Sequence, residues 1–226
     1  MKELGISKKF EQISGESTVN YQRGAKAARL ALDLGKTAMR FSRVYRAPRY
    51  ADKERESDVE HSYMLALVAP EIVAALELDL DIGLVAQFAS VHDLIELKTG
   101  DKATFLFDDD MQMDKEKEER RHIDALLRIL PPHTGNMLVR FEHQLEPEAR
   151  FVRYIDKLLP IVVDIIGAGK KIMIEDFNIS SLEALRICHE KLHARLAGMF
   201  EGEFPEIDIA HQLLCELFEV KFASEL

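Results

Sequence analysis

The sequence predicts an all-α fold in a single domain, and three observations support this class. Apolar residues recur at helical spacing in nearly every periodic segment, and no convincing alternation of apolar and polar residues indicates a strand. The chain has 226 residues without an internal repeat, a low-complexity tract or a linker. Its 47% hydrophobic and 31% charged residues are ordinary for a globular domain with one sizeable core. We therefore expect one helical bundle.

The N-terminal half is divided into a loosely ordered extension, residues 1–20, and the start of a helical domain that spans residues 21–226. Helices are predicted over residues 22–43, 58–77 and 82–98. Residues 46–56, which separate the first two helices, are expected to form a charged loop. Ser57 and Glu60 match the S-x-x-E capping box, and this places the start of the second helix.

Helices also fill the C-terminal half. They are predicted over residues 112–130, 134–144, 147–167, 181–199 and 207–222. Gly100 is expected to end the preceding helix, because glycine readily adopts the left-handed conformation found at helix ends. Pro131 and Pro132 stop the helix before them. Ser180 and Glu183 give a second capping box.

Charge and composition exclude several classes of protein. A formal net charge of −10 and a pI near 5.3 argue against a nucleic-acid-binding protein, whose contact face must be basic. No apolar run reaches the ~20 residues that a membrane-spanning helix needs, and residues 1–20 lack the apolar core of a signal peptide. Cys188 and Cys215 are expected to be free thiols in a reducing compartment. We therefore expect a cytoplasmic protein that binds neither nucleic acid nor membrane.

The most informative feature of the chain is a histidine–aspartate pair, His92 and Asp93, inside an apolar helical stretch. Burying two such side chains is costly unless a partner compensates, and a divalent cation is a natural partner for imidazole and carboxylate. His61 and Asp156 lie on other predicted helices and offer ligands of the same kinds. The set predicts one metal site assembled from three helices.

Glu96 follows His92 by one helical turn and therefore projects from the same face. A carboxylate in that position can approach a metal-bound water without being a ligand, as a general base requires. Each residue also has a simpler interpretation: His61 as a half-exposed histidine, Asp156 as an ion-pair partner of its basic neighbours, and Glu96 as a solvated residue near a helix end.

Three short motifs surround these candidates. Residues 56–62 read E-S-D-V-E-H-S, residues 92–101 read H-D-L-I-E-L-K-T-G-D, and residues 152–157 read V-R-Y-I-D-K. In order and spacing they resemble the motifs of the HD-domain phosphohydrolases, and specifically of their 5′-deoxynucleotidase branch. Arg46 matches that branch's phosphate-orienting arginine. The likeness covers about residues 40–165, and the C-terminal helices within residues 181–222 lie outside it.

The resemblance implies an HD-domain helical bundle, usually a homodimer, and a role for each matching residue. The implied metal ligands are His61, His92, Asp93 and Asp156. Glu96 would position or deprotonate the attacking water, and Arg46 would hold the phosphate during catalysis. Asp101 would accept a hydrogen bond from the 3′-hydroxyl of the sugar, and Lys102 and Thr104 are further substrate-binding candidates. One divalent ion of the Mn²⁺, Co²⁺, Fe²⁺ or Mg²⁺ class suits these ligands.

The expected reaction is the removal of phosphate from a deoxynucleoside 5′-monophosphate, and two other functions stay open on the same site. A dNTP triphosphohydrolase needs a longer basic channel, which Lys98, Lys102 and Arg49 could line. A relative that binds metal and nucleotide without turnover has no need for a base such as Glu96. Ala47 stands where bacterial members of the branch often carry an aromatic residue, so base and sugar preference stay open.

A second metal motif competes with the first. Residues 189–193 read H-E-K-L-H, the H-E-x-x-H pattern of zinc peptidases, in which His189 and His193 share a helix face. The candidates for a third ligand are Glu201, Glu203 and Glu216. Lys191 puts a charge inside the motif, and the surrounding helix is amphipathic in an ordinary way. A polar face on a packing helix is therefore the favoured interpretation.

Overall fold

The structure, a computed structural model, describes residues 19–52, 54–103, 105–106 and 109–224, and it confirms the predicted all-α class. The helices in chain order are α1 (Val19–Phe41), α2 (Asp58–Ala75), α3 (Ile82–Val91), α4 (Glu96–Thr99), α5 (Asp109–Leu127), α6 (Pro132–His143), α7 (Pro147–Ile166), α8 (Gly169–Glu175), α9 (Leu182–Phe200) and α10 (Pro205–Ser224). Most predicted helices are confirmed with their ends shifted by a few residues. Residues 1–18 of the expected extension lie outside the described residues.

The charged loop predicted for residues 46–56 is wrong, because this segment contributes to a two-stranded antiparallel hairpin. The hairpin pairs β1 (Tyr45–Arg49) with β2 (Arg55–Ser57). Burial alternates along β1, but one of the inward-facing residues is Arg46 rather than an apolar side chain. The strand therefore lacks the apolar alternation from which strands are predicted. The guanidinium group of Arg46 on the inward face of β1 therefore lies in the protein interior.

The single helix predicted over residues 82–98 is also corrected. α3 ends at Val91, residues 92–95 form a turn, and α4 follows. Backbone N–H groups in and after the turn bond carbonyls three residues back, at 2.9 to 3.3 Å, as in a 3₁₀ turn. Gly100 ends α4, as predicted, with φ 70° and ψ 159°, a positive-φ conformation that favours glycine but differs from the expected left-handed helical one.

Two serine caps fix helix starts, one as predicted and one shifted by a residue. Ser57 and Glu60 form the expected reciprocal box, with the Ser57 N–H donating to Glu60 Oε2 at 2.8 Å and the Glu60 N–H donating to Ser57 Oγ at 3.4 Å. At α9 the cap is Ser181 rather than Ser180, since Ser181 Oγ accepts from the N–H of Ala184 at 3.2 Å.

The long helix α7 passes through both apolar clusters that the described residues form. Ile155 and Leu159 are fully buried in the larger cluster, which includes residues of α2, α3 and α6. α7 continues through Pro160 without interruption and reaches a smaller cluster with Met173 of α8 and Phe218 of α10. None of the described helices is long and apolar enough to span a bilayer.

Gly167 lets the hairpin approach the end of α7. A Cβ at Gly167 would lie 2.2 Å from the carbonyl oxygen of Arg49, so the two backbones can meet only because this residue is glycine. The N–H of Ala168 donates to the same carbonyl at 3.0 Å. α8, which was not predicted as a separate helix, begins two residues later. This contact holds the hairpin against α7.

Candidate metal centre

Four side chains from three separate segments meet at one point. His61 of α2, His92 and Asp93 of the turn after α3, and Asp156 of α7 each offer one ligand atom. These four atoms all lie within 4.8 Å of one another. The structure thus brings together all four residues predicted as metal ligands. Two imidazoles and two carboxylates are a suitable donor set for a first-row divalent ion.

The helices on either side position His61 and Asp156. The cap at Ser57 fixes the first turn of α2, which carries His61, and His61 Nε2 lies 2.8 Å from Asp156 Oδ1. Lys157 Nζ donates to the other carboxylate oxygen, Asp156 Oδ2, at 2.7 Å. Asp156 Oδ1 is therefore the oxygen that faces the cluster.

A backbone hydrogen bond orients His92. Its Nδ1 lies 2.9 Å from the carbonyl oxygen of Ala89, and a carbonyl only accepts, so Nδ1 carries a proton. His92 Nε2 points to the cluster, 2.9 Å from Asp93 Oδ2 and 3.6 Å from Asp156 Oδ1. In the neutral ring this Nε2 bears the lone pair. A carbonyl partner that fixes the tautomer in this way is usual for metal-binding histidines.

The electrostatics of the cluster differ between the two histidines. Burial and the nearby Arg46 guanidinium lower the pKa of His61 to about 4. Burial acts in the same direction on His92, but Asp93 and Asp156 outweigh it and raise the pKa of His92 to about 9. Burial would raise the pKa of Asp93, yet the adjacent His92 holds it well below its usual range. The paired carboxylates thus attract positive charge, which a proton or a metal ion can supply.

Sequence reasoning missed two acids beside the cluster, Glu56 and Asp58, which are both fully buried. A carboxylate oxygen of Asp58 lies within 4.8 Å of oxygens of Asp93 and Glu96. Burial raises the pKa of Asp58 to about 8 and that of Glu56 to about 7. Both residues were visible in the motif before His61. An acidic residue near the start of a helix is ordinarily explained by its favourable interaction with the helix dipole. The sequence therefore did not indicate that these two side chains are buried.

Glu96 begins α4 and is almost fully buried, at 2% exposure. It stands beside Asp93 but outside the group of four convergent ligand atoms. A carboxylate next to a ligand, facing the same cavity, is where a base acting on a water at the ion would be expected.

Arg46 enters the site from β1 and is surrounded by acids. One of its terminal nitrogens, Nη1, donates to Asp93 Oδ2 at 2.8 Å and lies 3.7 Å from Asp101 Oδ1. Its Nε lies 3.4 Å from Glu56 Oε2. Burial opposes the charge of Arg46, but Asp93 and Asp101 more than compensate and raise its pKa further. The predicted phosphate-binding residue is therefore a permanent cation beside the four convergent side chains.

A cavity extends from the cluster. At this end its charged lining residues are Arg46, Asp93, Glu96, Asp101, Lys102, Asp156 and Lys157. Two predicted substrate-binding residues, Asp101 and Lys102, thus line the cavity, and Lys102 also pairs with Glu118 of α5. The third, Thr104, lies outside the described residues.

The basic channel considered for a triphosphate is only partly present. Of Lys98, Lys102 and Arg49, only Lys102 lines the cavity in the described part of the chain. Arg49 instead donates to both carboxylate oxygens of Asp176, at 2.8 Å each, and Lys98 is exposed to solvent.

The competing H-E-x-x-H motif lies on α9, as predicted, but its histidines have other partners. His189 Nδ1 lies 2.8 Å from Glu219 Oε1, and His193 Nδ1 lies 3.4 Å from His211 Nδ1. Among the described residues, neither His189 nor His193 belongs to a group of three or more potential ligand atoms within 4.8 Å of one another. The motif therefore does not assemble a metal site of that kind.

Comparison with known proteins gives one family. The HD domain is matched over residues 38–197, a range that contains the hairpin and all four convergent side chains. A search of curated proteins finds no match.

Several solved structures share the fold. A protein described as a predicted metal-dependent phosphohydrolase from Magnetospirillum magnetotacticum MS-1 has a TM-score of 0.64 and 21% identity, over 86% of this chain and 94% of its own. An HD-domain phosphohydrolase from Listeria innocua has a TM-score of 0.53 and 16% identity, over 86% and 99% of the two chains. The HD phosphohydrolase DatZ of cyanophage S-2L, bound to dA and one catalytic Zn²⁺ ion, has a TM-score of 0.52 and 17% identity, over 82% and 96%.

Proposed function

The chain belongs to the HD domain family, and on that premise we propose that it is a metal-dependent phosphohydrolase that removes phosphate from deoxynucleoside 5′-monophosphates. One observation carries the proposal. The ligand atoms of His61, His92, Asp93 and Asp156 converge within 4.8 Å, beside a cavity whose lining includes Arg46 and Lys102. A divalent ion held there would acidify a water and polarise a phosphoryl oxygen.

Glu96 is the base in this proposal. Its buried carboxylate lies next to Asp93 and faces the cavity, where it can accept a proton from the attacking water. As the bond between phosphorus and the 5′-oxygen breaks, the same carboxyl group can return the proton to that oxygen. Phosphate and the deoxynucleoside are then the products. Asp58 lies beside Glu96, with an oxygen of each carboxyl group within 4.8 Å of the other, and the two side chains are hydrogen-bonded.

Arg46 binds the phosphate in this proposal. Its guanidinium is anchored by Asp93 and carries a permanent charge at the cavity wall. The planar fork of arginine matches phosphate oxygens, which a lysine ammonium cannot do as well. Lys102 and Lys157 line the same end of the cavity and add positive charge.

We propose a monophosphate substrate because few of the candidate basic side chains line the cavity. Of the three basic residues that could line a triphosphate channel, Arg49 pairs with Asp176 and Lys98 does not line the cavity, which favours a single phosphate. The choice of a deoxynucleotide is supported by the resemblance to the 5′-deoxynucleotidase branch and by the dA bound to the structural relative DatZ. Hydrolysis of a dNTP on the same metal site is the second candidate.

A screen of phosphate release tests the proposal. The wild-type protein is assayed with ribo- and deoxynucleoside mono- and triphosphates in the presence of Mn²⁺, Co²⁺, Fe²⁺, Mg²⁺ or Zn²⁺. We expect inorganic phosphate from dAMP or another deoxynucleoside monophosphate. Tripolyphosphate from dATP would instead identify a triphosphohydrolase.

Matched variants separate hydrolysis by this site from a contaminating phosphatase. Asp93→Ala should remove activity, whereas Glu190→Ala, an exposed acid of the H-E-x-x-H motif, should retain it. Equal activity in the wild type and in Asp93→Ala would refute the assignment of the site. Tight nucleotide binding without release of any phosphate product would favour a binding protein.

A further inference from the structure

The cavity has a second end that the proposed chemistry does not use. Beyond Asp156 it continues between α7, α8, α9 and α10, and its lining becomes apolar. The principal apolar residues are Phe105, Ile161, Met173, Phe177, Leu192 and Phe218. A cavity with one charged end and one apolar end suits a ligand with an anionic group and a large uncharged group.

Aromatic rings form much of the apolar end. The ring centroids of Phe105 and Phe177 lie 5.3 Å apart, and the His189 ring stands 6.2 Å from Phe105 and 6.0 Å from Phe218. The angle between the Phe105 and His189 ring planes is 82°. These rings offer both faces and edges, which favours contact with another planar ring.

Two polar side chains break the apolar lining, and the first is Asp164 of α7. It is 6% exposed, and its Oδ1 has no hydrogen-bond partner among the described residues. A buried carboxyl oxygen in a cavity wall costs free energy unless something bonds it. Burial and the nearby Glu56 raise the pKa of Asp164 to about 8, so the protonated, neutral form predominates at pH 7. A neutral carboxyl group can donate one hydrogen bond and accept another.

The second polar side chain is His189 of α9, which is 4% exposed. Its Nδ1 lies 2.8 Å from Glu219 Oε1, and this carboxylate requires a proton on Nδ1. Burial lowers the pKa of His189, which favours the neutral ring. In that ring Nε2 is an acceptor, on a side chain that lines the cavity.

The position of Asp164 is closely fixed. A Cβ at Gly169 would lie 2.5 Å from Asp164 Cβ, so the start of α8 can pack against this residue only as glycine. Lys221 of α10 donates to the carbonyl oxygens of Ile165 and Gly167, at 2.7 Å each, and ties down the end of α7. A polar group held this rigidly in an apolar wall is arranged to select what binds beside it.

We infer that the apolar end of the cavity is the nucleobase subsite, in which Asp164 and His189 hydrogen-bond the polar edge of the base between aromatic walls. The inference rests on the proposed function, because the phosphate must occupy the charged end. Asp164 lies eight residues after Asp156 on one helix, a rise of about 12 Å. That separation lets the phosphate of a nucleotide reach the metal ligands while its base reaches Asp164.

Kinetics on substrates with and without a base test the inference. The wild-type protein is compared on dAMP, dCMP and 2-deoxyribose 5-phosphate, which lacks a base. We expect kcat/KM for at least one nucleotide to exceed that for the sugar phosphate by about 10-fold or more. Asp164→Leu, which removes both hydrogen-bonding functions, should lower this preference by about 10- to 100-fold, mainly through KM.

Two further variants keep the result interpretable. Asp164→Asn retains a donor and an acceptor and should keep most of the preference for nucleotides. Glu190→Gln changes an exposed acid on the helix that carries His189 and should leave the preference unchanged. Equal kcat/KM for nucleotides and sugar phosphate in the wild type, or an equal loss on both in Asp164→Leu, overturns the subsite.

Binding of free nucleosides separates this inference from the proposed function. Calorimetric titration of the wild type with deoxyadenosine and deoxycytidine requires no phosphate chemistry. Binding that is weakened in Asp164→Leu and retained in Asp164→Asn supports the subsite even if no phosphate ester is hydrolysed. If neither nucleoside binds at millimolar concentration, the subsite is overturned, whatever the protein hydrolyses.

Discussion

The protein carries two histidine–acid motifs, and only one of them becomes a candidate metal site. His92 and Asp93 lie in a short turn, where His61 of α2 and Asp156 of α7 reach them from other helices. The H-E-x-x-H motif on α9 has the better local spacing, yet its histidines bond partners on α10. The difference shows that ligands contributed by distant segments, more than spacing within one helix, make a site.

The largest difference between the two motifs is expected when one candidate ligand is removed from each. Asp93→Ala should abolish both metal binding and hydrolysis, because it removes one of the two carboxylate ligands and leaves only His61, His92 and Asp156. His193→Ala should change neither. Metal content after dialysis and phosphate release measure the two effects. A peptidase activity that disappears in His193→Ala but not in Asp93→Ala would reverse our ranking of the motifs.

The next effect separates metal binding from proton transfer within the first motif. Glu96→Gln should lower kcat by roughly 10²- to 10⁴-fold, because it removes a base while preserving the shape of the side chain. Its metal content should match that of the wild type. Loss of the metal in this variant would show that Glu96 is a ligand rather than a base.

A pH effect concerns Asp164, which lines the same cavity as His189 of the second motif. The folded-state pKa of Asp164 is raised to about 8 from an ordinary value of 3.8. Below pH 4 the Asp164 carboxyl group is neutral in both the folded and the unfolded protein, so it does not change the free energy of unfolding with pH. Between pH 4 and 8 the unfolded chain ionises while the folded protein keeps the proton, so stability falls as the pH rises.

Asp164→Asn removes this titration. As the pH rises from 4 to 8, the free energy of unfolding of the variant should increase relative to that of the wild type by on the order of a few kcal/mol. Urea unfolding of both proteins at pH 4.5 and 7.5 measures the change in their difference. Because Glu56 and Asp58 are present in both proteins, their own titrations largely cancel. A difference that stays constant with pH would contradict the raised pKa.

The smallest effects come from the serine caps of the two motif helices. Ser57→Ala and Ser181→Ala should each lower the free energy of unfolding by about 1 kcal/mol, since each removes a cap from an N–H group. Only Ser57→Ala should also weaken metal binding, because His61 lies in the turn that Ser57 fixes. Ser180→Ala should have almost no effect on stability. Equal metal affinity in the two cap variants would show that the cap does not position the ligand.

Local features of the sequence predicted most of the helices. Apolar periodicity and the Ser57–Glu60 box act within a few residues, so they could be recognised without knowledge of the fold. The same reasoning failed over residues 92–95, where a turn divides the predicted helix, and along β1, where Arg46 occupies an inward-facing position. Both segments face the candidate site, and interactions with distant residues decide their conformation.

The sequence by itself determined the helical class, because periodicity and capping act over neighbouring residues, and it identified the four convergent side chains through the order and spacing of three short motifs. Only the tertiary structure decided that Glu56 and Asp58 are buried beside those side chains, and that Asp164 and His189 share the far end of the same cavity. The reason is physical: burial and convergence depend on how helices far apart in the chain pack against α7. The sequence around an acidic residue does not show whether the packing of distant helices will bury its side chain.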